Sequence, residues 1–503
     1  MMAGYLGIFG DWPLLSLLII SLPVGALLIW IAPGDHHARY IALATAMLDL
    51  LLSLTVAASF DTGTAVMQLT ESIAWIPTLN VHYSLGVDGL SVLFLPLTII
   101  LFIGVILVGW NSIHAMPRLY YTLMLVLEST TIGVFCATDT ILFFLFWELT
   151  LVPLYFLVSL WGIGPNRRFA AGKYFMYMLA GGIPMLFAFI MLAFNHADVT
   201  GSGLGFDYVT LLGTKMPEHM QIMVFVLLLL GFGVKTPIFP LHSWLPIVTM
   251  EGPVSVAALV TGLKLGAFGL MKFAIPLAPD AARSLHWLLA GVGTIALLYG
   301  ALAALRQSNI RQMLAYASFS HVGLVVLGLS SLNQQGLQGA IFQLLNFTLI
   351  GGGLFLLTGM LHQRLGSTEI IHLGGLAKRL PVLATFFFIL TLAALGIPGT
   401  SGFPAELLLV LGVLQVHTGA GLAVLVTAVL AAAYALGQYR QVFFGPLTNT
   451  SMNDVEDLVP REKLVILVFI IIVIFGGIMP TTVLQFTETA STAWMTHLQQ
   501  AMQ

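Results

Sequence analysis

The sequence has little charge and almost no cysteine. Asp, Glu, Lys and Arg together make up 8% of its 503 residues, whereas hydrophobic residues make up 59%. The one cysteine, Cys136, excludes an intrachain disulfide and a cysteine-bound cluster carried by this chain alone. The chain also lacks a basic patch for nucleic acid, a glycine-rich phosphate loop and a soluble segment long enough for a nucleotide-binding domain. Haem binding is disfavoured because His321 is the only histidine predicted to lie well inside an apolar span.

Long apolar runs dominate what is present. Runs of about 20 apolar residues predict fourteen transmembrane helices, and their continuous rather than alternating character excludes a transmembrane barrel. The first run follows Asp11 and lacks a basic segment before it, which predicts a helix and not a cleaved signal peptide. The predicted fold class is therefore an all-α polytopic membrane protein.

The basic residues divide unevenly between the two predicted sides of the membrane. When the loops are assigned alternately, thirteen of the 18 Lys and Arg residues fall on one side and three lie within spans. Only Lys215 and Arg283 fall on the other side. Since cytoplasmic loops carry the excess of basic residues, we expect both chain termini to face away from the cytoplasm.

Two apolar runs are interrupted in the same way. The seventh contains Lys235 and Pro237, and the twelfth contains Pro398 with Glu406 just beyond it. The two runs are five spans apart and so cross the membrane in opposite directions. This pattern predicts two inverted five-helix repeats with two discontinuous helices. The predicted boundaries are 1–118 for an N-terminal three-helix segment, 119–279 and 280–445 for the two repeats, and 446–503 for the last helix and a C-terminal tail.

Several ionisable side chains lie deep inside predicted spans. Lys235 is about thirteen residues into its run, roughly 20 Å along a helix, where a lysine is costly unless it is paired or hydrated. A lysine beside a carboxylate releases its proton more readily when that carboxylate is neutralised, so such a set can transfer protons. Static ion pairs that only fix helix packing are the alternative, above all for Asp49 and Glu128. The full set comprises Asp49, Glu128, Glu148, Lys235, Lys264, His321 and Glu406, with Glu251 at the edge of a span.

Six motifs occur in a fixed order along the chain. They are YSLGVDGLSVLF, FWELTLVPLYFL, GVKTPIFPLHSWLP, TGLKLGAFGL, RQMLAYASFSHVGLVVLG and LGIPGTSGFPAELLL. With them, the chain resembles the antiporter-like membrane subunits of the respiratory complex I (NDH-1) superfamily over nearly its whole length. The resemblance implies that Glu148 is the carboxylate partner of Lys235. It also implies that Lys264 continues a polar axis along the membrane midplane and that Glu406 is the terminal proton site.

The resemblance also implies a function. We expect a proton-translocating subunit of a redox-driven NAD(P)H- or ferredoxin-quinone oxidoreductase, in a bacterial inner or cyanobacterial thylakoid membrane. We expect no cofactor in this chain; FMN, iron–sulfur clusters and quinone belong to partner subunits. The expected partners are lipid and an obligatory complex with other antiporter-like and quinone-module subunits, without nucleic acid. Three alternatives stay open: a subunit of a multisubunit sodium/proton antiporter, a proton-handling subunit of a CO2-uptake complex or membrane hydrogenase, and a structural scaffold.

Two positions depart from the family pattern. Thr249 ends a triplet where the family usually reads Asp-Ala-His, and Phe347 is the centre of a triplet where it usually reads Ser-His-Gly. Two expected relay histidines are therefore absent. We expect water and the hydroxyls of Thr249 and Thr348 to carry protons across these gaps, unless the chain belongs to a specialised branch.

Overall fold

The computed structural model describes residues 12–446 and 455–500, which form a bundle of apolar helices with one β-hairpin. Residues 1–11, which include Asp11, and residues 447–454 and 501–503 lie outside the described residues. The first part of the chain contains α1 (Leu14–Ile31), α2 (His37–Ser59), β1 (Gln68–Ile76), β2 (Val81–Val87), α3 (Phe94–Val108), α4 (Pro117–Cys136), α5 (Thr140–Leu149), α6 (Leu151–Trp161), α7 (Arg167–Thr200), α8 (Tyr208–Leu212), α9 (Glu218–Lys235), α10 (Trp244–Glu251), α11 (Val254–Gly262), α12 (Leu265–Gly269), α13 (Ile275–Leu277) and α14 (Pro279–Ser284).

The second part contains α15 (His286–Leu305), α16 (Ile310–Ser330), α17 (Gln334–Asn346), α18 (Gly352–Leu365), α19 (Pro381–Ala394), α20 (Gly402–Val416), α21 (Thr418–Phe443), α22 (Pro460–Ile478) and α23 (Pro480–Gln500). Two π-helical turns, Leu270–Ala274 and Phe347–Gly351, join α12 to α13 and α17 to α18. Three short 3-10 turns occupy Pro77–Leu79, Ile370–His372 and Leu376–Lys378. One continuous apolar core extends from Leu14 to Leu498, so the predicted segments are packed together and not as separate globules.

Eleven described helices or helical runs are long and apolar enough to cross a membrane, or twelve if the bent pair α22 and α23 forms one span. Three shorter apolar helices, α3, α19 and α20, correspond to further predicted spans. Of these, α19 and α20 flank the predicted break at Pro398. The chain is thus a multi-pass helical membrane protein, as predicted, whereas the count of fourteen crossings stays a prediction.

Two elements are absent from the sequence-based prediction. The β-hairpin pairs β1 with β2 in an antiparallel arrangement, so the fold is not purely α-helical. The predicted C-terminal tail is the helix α23, bent by 72° from α22. This helix is polar overall, but it buries Ala490, Trp494 and Leu498, which recur every four residues on one face.

Both predicted helix breaks are present. The first separates α9 from α10 after Lys235, and the second separates α19 from α20 around Pro398. Lipid offers no hydrogen bonds to the backbone groups that a break releases, so protein groups replace them. The Trp244 indole N–H donates to the Val234 carbonyl at 2.9 Å, and the Ser401 amide donates to the Val473 carbonyl at 2.9 Å.

A third interruption occurs in addition to the two predicted breaks. The chain leaves the helical conformation at Leu263 and Lys264, between α11 and α12. No proline marks this position, which explains why the sequence pattern did not reveal it. The Thr348 hydroxyl donates to the Gly262 carbonyl at 3.3 Å and so occupies one of the released acceptors.

The loops form two separate networks of contacts. One network joins Asp35 to Arg118, Asn166 to Glu251, Arg311 to Thr249 and Gly252, and Arg364 to Glu462. The other joins Asn80 to Leu204, Arg283 to Leu498, His286 to His417, and Thr489 to Thr62. We call them the arginine-rich face and the hairpin face. Successive loops alternate between these faces, as the uneven distribution of basic residues requires; which face meets the cytoplasm stays a prediction.

We expect the arginine-rich face to be cytoplasmic. In a Cys136→Ser background, Arg168→Cys and Thr496→Cys each place a thiol at an exposed position, the first on the arginine-rich face and the second on α23. A membrane-impermeant thiol reagent added to right-side-out vesicles should label Thr496→Cys only, and inverted vesicles should give the opposite result. Labelling of both variants from the same side would contradict the predicted number of crossings.

Candidate functional site

Lys235 ends α9 at the first helix break. Its ammonium donates to the Thr150 hydroxyl at 2.7 Å and to the Trp147 carbonyl at 3.1 Å. The same ammonium lies 4.0 Å from the centre of the Trp147 ring, within the range of a cation–π interaction. Both partners belong to the junction of α5 and α6. The lysine charge is therefore held by a hydroxyl, a carbonyl and an aromatic face.

Glu148 lies beside this group without bonding to it. Over residues 12–446 and 455–500, the ion pairs within 4.0 Å do not include Glu148 and Lys235, so their predicted partnership is not a direct contact in this structure. The Glu148 Oε1 atom is buried without a hydrogen-bond partner, and its carboxylate packs against Gly182 of α7. The side chain also lines a groove between α5 and α7 that is open to the outside of the bundle, since several of its lining side chains are exposed. Among the described residues, Glu148 thus borders open space and has no hydrogen bond that fixes its Oε1 atom.

Lys264 occupies the third helix break. It is buried, and its ammonium donates to the Ser318 hydroxyl of α16 at 2.6 Å. A cavity of about 30 Å³ lies between the two lysine segments and is lined by Lys235, Thr150, Thr131, Leu263 and Leu265. A cavity of about 10–15 Å³ by this measure accommodates one water molecule. The space beside Lys235 is therefore large enough for water to connect it toward the Lys264 segment.

His321 lies between the Lys264 region and the second helix break. A cavity of about 50 Å³ is lined by both Ser318 and His321. The His321 Nδ1 atom is 2.9 Å from the Ala317 carbonyl, and Nε2 is 3.3 Å from the Ala394 carbonyl. A neutral imidazole can donate to only one of these acceptors, whereas the protonated ring can donate to both. The surroundings of His321 thus suit a ring that gains and loses a proton.

Glu406 completes the series on α20, just beyond the second break. Its Oε1 atom is 4.0 Å from His321 Nε2, and its carboxylate packs against Gly396, which adopts φ +62°. That left-handed conformation and the close approach of the carboxylate both favour glycine there. A cavity of about 30 Å³ is lined by His321, Glu406, Thr427 and Tyr434. We call Lys235, Lys264, His321 and Glu406, with Glu148 beside them, the midplane row.

The two positions that lack relay histidines differ from each other. The Thr249 hydroxyl donates to the Leu245 carbonyl of its own helix at 2.9 Å, and its role as a proton carrier stays a prediction. Phe347, in contrast, lies between two members of the row. Its ring is 5.1 Å from the Lys264 ammonium, and its centre is 5.3 Å from that of the His321 ring. An aromatic ring thus fills the second gap.

The remaining predicted residues lie away from the row. Glu251 ends α10 on the arginine-rich face, where its carboxylate accepts a hydrogen bond from the Asn166 amide at 2.7 Å. Asp49 and Glu128 are both fully buried on α2 and α4, on the N-terminal side of the bundle. Pro237 and Pro398 lie within the two breaks that they predict.

Sequence reasoning missed the neutral partners of the two lysines. Ser318 precedes His321 by three residues and so lies on the same helical face, a spacing that could have identified it. Thr150 follows Glu148 by two residues and offered no comparable signal. Also missed was a buried ion pair between Lys272 and Asp88, which joins the π-helical turn after α12 to the segment before α3.

Comparisons with known proteins place this geometry in a family. The family model described as NADH:quinone oxidoreductase/Mrp antiporter, TM, matches residues 137–431, a range that includes the whole midplane row. The chain belongs to this family. NADH-quinone oxidoreductase subunit M of Rhodobacter capsulatus is 37% identical over 458 residues, covering 90% of this chain and 89% of the relative. The resemblance predicts the subunit M (chain 4) branch, because Glu406 occupies a position where the other large subunits are expected to carry lysine. The similarity to relatives named subunit M or chain 4 confirms this prediction.

Solved structures give the same result. A chain of respiratory complex I from Thermus thermophilus with bound NADH is 30% identical and superposes with a TM-score of 0.87, over 96% of this chain and 99% of that one. A chain of the Mrp complex from Dietzia sp. superposes with a TM-score of 0.84, over 96% of this chain and 98% of that one. At 20% identity the second similarity shows a shared fold alone.

Gly182→Ala tests the position of Glu148. The added methyl would overlap the Glu148 carboxylate, so we expect the carboxylate to shift and proton movement by the assembled complex to fall roughly tenfold, the effect of about 1.4 kcal/mol. Proton movement is measured in reconstituted vesicles, with the yield of complex as a second readout. Gly172→Ala on the same helix meets nothing within 4 Å and should behave like the parent. Equal activity of both variants would show that the position of Glu148 is unimportant.

Proposed function

We propose that this chain is the proton-translocating membrane subunit of a redox-driven NADH-quinone oxidoreductase and that protons move along the midplane row. One observation carries the proposal: two ammonium groups, an imidazole and a carboxylate follow one another, with cavities beside Lys235, beside the Ser318 that binds Lys264, and between His321 and Glu406. The 37% identity to a subunit M over 90% of the chain supports the assignment of the complex.

The first transfer depends on the distance between Glu148 and Lys235. At an effective dielectric constant of about 20, two unit charges attract by about 4 kcal/mol at 4 Å and about 3 kcal/mol at 6 Å. A change of about 1.4 kcal/mol alters proton affinity tenfold. A displacement of Glu148 by a few ångström, toward or away from the groove that it borders, is therefore enough to change whether Lys235 keeps its proton.

The later transfers use groups that both donate and accept. The Ser318 hydroxyl accepts from Lys264 and can donate in turn to a neighbour in the cavity it shares with His321. His321 then lies 4.0 Å from the Glu406 carboxylate, close enough for one intervening water or a small side-chain movement. Glu406 is the last group of the row, and we assign to it the exchange of protons with the far side of the membrane.

We assign no electron carrier to this chain. FMN, iron–sulfur clusters and quinone belong in this proposal to partner subunits, since one buried cysteine offers no basis for a cluster. The energy for proton movement then comes from outside the chain, which makes a complex with other antiporter-like and quinone-module subunits obligatory. We place the complex in a bacterial inner or cyanobacterial thylakoid membrane, with both termini on the non-cytoplasmic side.

Two other assemblies of the same superfamily are alternatives. The family description, which also names the Mrp antiporter, supports a multisubunit sodium/proton antiporter as the first alternative. A NAD(P)H-quinone oxidoreductase chain 4 of Synechococcus sp., 35% identical, leaves a CO2-uptake complex as the second alternative. Purification of the complex with mass spectrometry separates them. Iron–sulfur and quinone-binding subunits support the main proposal, small antiporter subunits alone support the first alternative, and a zinc-bearing hydration subunit supports the second.

Lys235→Ala tests the central step. We expect assembly to persist and proton pumping in proteoliposomes to fall at least roughly tenfold, because the only ammonium at the first helix break is removed. Glu148→Ala should be similarly severe, and the double variant should lose less than the sum of both single losses. Lys215→Ala, at an exposed position on the hairpin face, is the matched control. Parental pumping in either single variant would contradict the proposed route.

Glu406→Gln and Glu406→Lys test the terminal site. Glutamine fixes a neutral side chain and should impair coupled activity at a parental yield of complex. Lysine should be milder, because it can still bind and release a proton and the resemblance implies a lysine at this position in homologous subunits. If Glu406 only stabilises the start of α20, glutamine should keep near-full turnover while lysine lowers the yield, and the proton-site assignment would then be wrong.

A further inference from the structure

Asp49 and Glu128 are buried carboxyl groups outside the midplane row, on two helices that pack together and close enough to interact electrostatically; we call them the carboxyl pair. Each lies near the middle of its helix, α2 or α4, and each is 0% exposed. The Asp49 Oδ1 atom accepts a hydrogen bond from the Ser21 hydroxyl at 3.0 Å. The other Asp49 oxygen and both Glu128 oxygens are buried without a hydrogen-bond partner among the described residues. Three of the four carboxyl oxygens of the pair are therefore unpartnered.

Such a pair has a strong preference for one ligand. An ionised carboxylate buried without a partner is very costly, and two neighbouring carboxylates resist simultaneous ionisation. No cation bonds to Glu128, since neither of its oxygens has a partner. A proton is the smallest ligand that removes the charge of such a carboxylate.

Two serines of α1 lie between this pair and the hairpin face. Ser21 and Ser16 are five residues apart, about 7.5 Å along the helix axis and on different faces of the helix, so proton transfer between them requires water. The Ser16 hydroxyl donates to the Glu71 carboxylate of β1 and lies 3.2 Å from the Tyr83 hydroxyl of β2. Glu71 is only partly buried and so can exchange protons with solvent.

Few other titratable groups face this region. From the hairpin they are Glu71 and Tyr83, and from the outer end of α4 the thiol of Cys136. Burial raises the pKa of Tyr83, so the phenol stays a neutral hydrogen-bonding group. Thr131 lies one turn from Glu128 on α4 and lines the cavity beside Lys235.

We propose that Asp49 and Glu128 form a second proton-binding site, separate from the midplane row, which exchanges its proton with the hairpin face through Ser21, Ser16 and Glu71. The site binds a proton at neutral pH and loses it as pH rises. The proposal does not depend on the proposed route along the row, because proton binding to the pair needs no turnover.

Infrared difference spectroscopy of the assembled complex, recorded between two pH values without substrate, tests the site. The parental complex should show a carbonyl stretching band of a protonated carboxyl group that decreases as pH rises. Asp49→Asn and Glu128→Gln should each abolish it, whereas Glu218→Gln, at an exposed carboxyl on the hairpin side of α9, should keep it. An unchanged band in both variants overturns the proposal. Loss of the band on addition of sodium ions at constant pH also overturns it, since such a loss identifies a cation site.

Two further variants retain both carboxyl groups and keep the test decisive if the isosteric variants assemble poorly. Ser21→Ala removes the hydrogen bond to Asp49 and should shift the band in frequency. Glu71→Gln should leave the band in place and slow its hydrogen–deuterium exchange severalfold. A band that neither variant affects would overturn the assignment. Because the recordings need no pumping, their outcome is independent of the results for the Lys235 and Glu406 variants.

Discussion

The hydrocarbon layer offers no hydrogen bonds, and this constraint governs every polar group inside the bundle. Each helix break therefore needs protein partners for the amides and carbonyls that it releases. Trp244, Thr348 and the Val473 carbonyl supply such partners. The breaks are thus part of a packed core and not loose segments, and they hold Lys235, Lys264 and Glu406 at fixed positions along the row.

The same constraint explains why neutral groups bind the lysines. A permanent contact between Lys235 and a carboxylate would stabilise the charged form so strongly that proton release becomes costly. Here Thr150 and the Trp147 carbonyl satisfy the ammonium, while Glu148 remains nearby and unbonded. Lys264 follows the same principle with Ser318. The contrast is the Lys272–Asp88 pair, a direct buried ion pair that suits a structural link between two segments.

The sequence predicts the features that proline or charge marks within one helix, but not those that depend on contacts between helices. The breaks at Pro237 and Pro398 and the depth of Lys235 were predictable, because proline and charge are rare inside apolar runs and so carry information. The break at Leu263 and Lys264 was not, since its cause is the packing of Thr348 and Ser318 from other helices. Helical periodicity specifies which residues share a face, but it does not specify which faces meet. For the same reason, α23 was mistaken for a tail: its apolar face is narrow, and its partner is a distant part of the chain.

Phe347 restricts how protons can pass between Lys264 and His321. Its ring contacts both groups, yet an aromatic hydrocarbon neither donates nor accepts a proton, so it cannot replace the relay histidine that the family pattern places there. The ring face instead favours the protonated state of Lys264 through a cation–π interaction. A route remains on the other side of the lysine, where Ser318 binds the ammonium and shares a cavity of about 50 Å³ with His321. Transfer across this gap thus depends on one hydroxyl and on water in that cavity, whereas the histidine expected from the family pattern would add a second titratable group at this point.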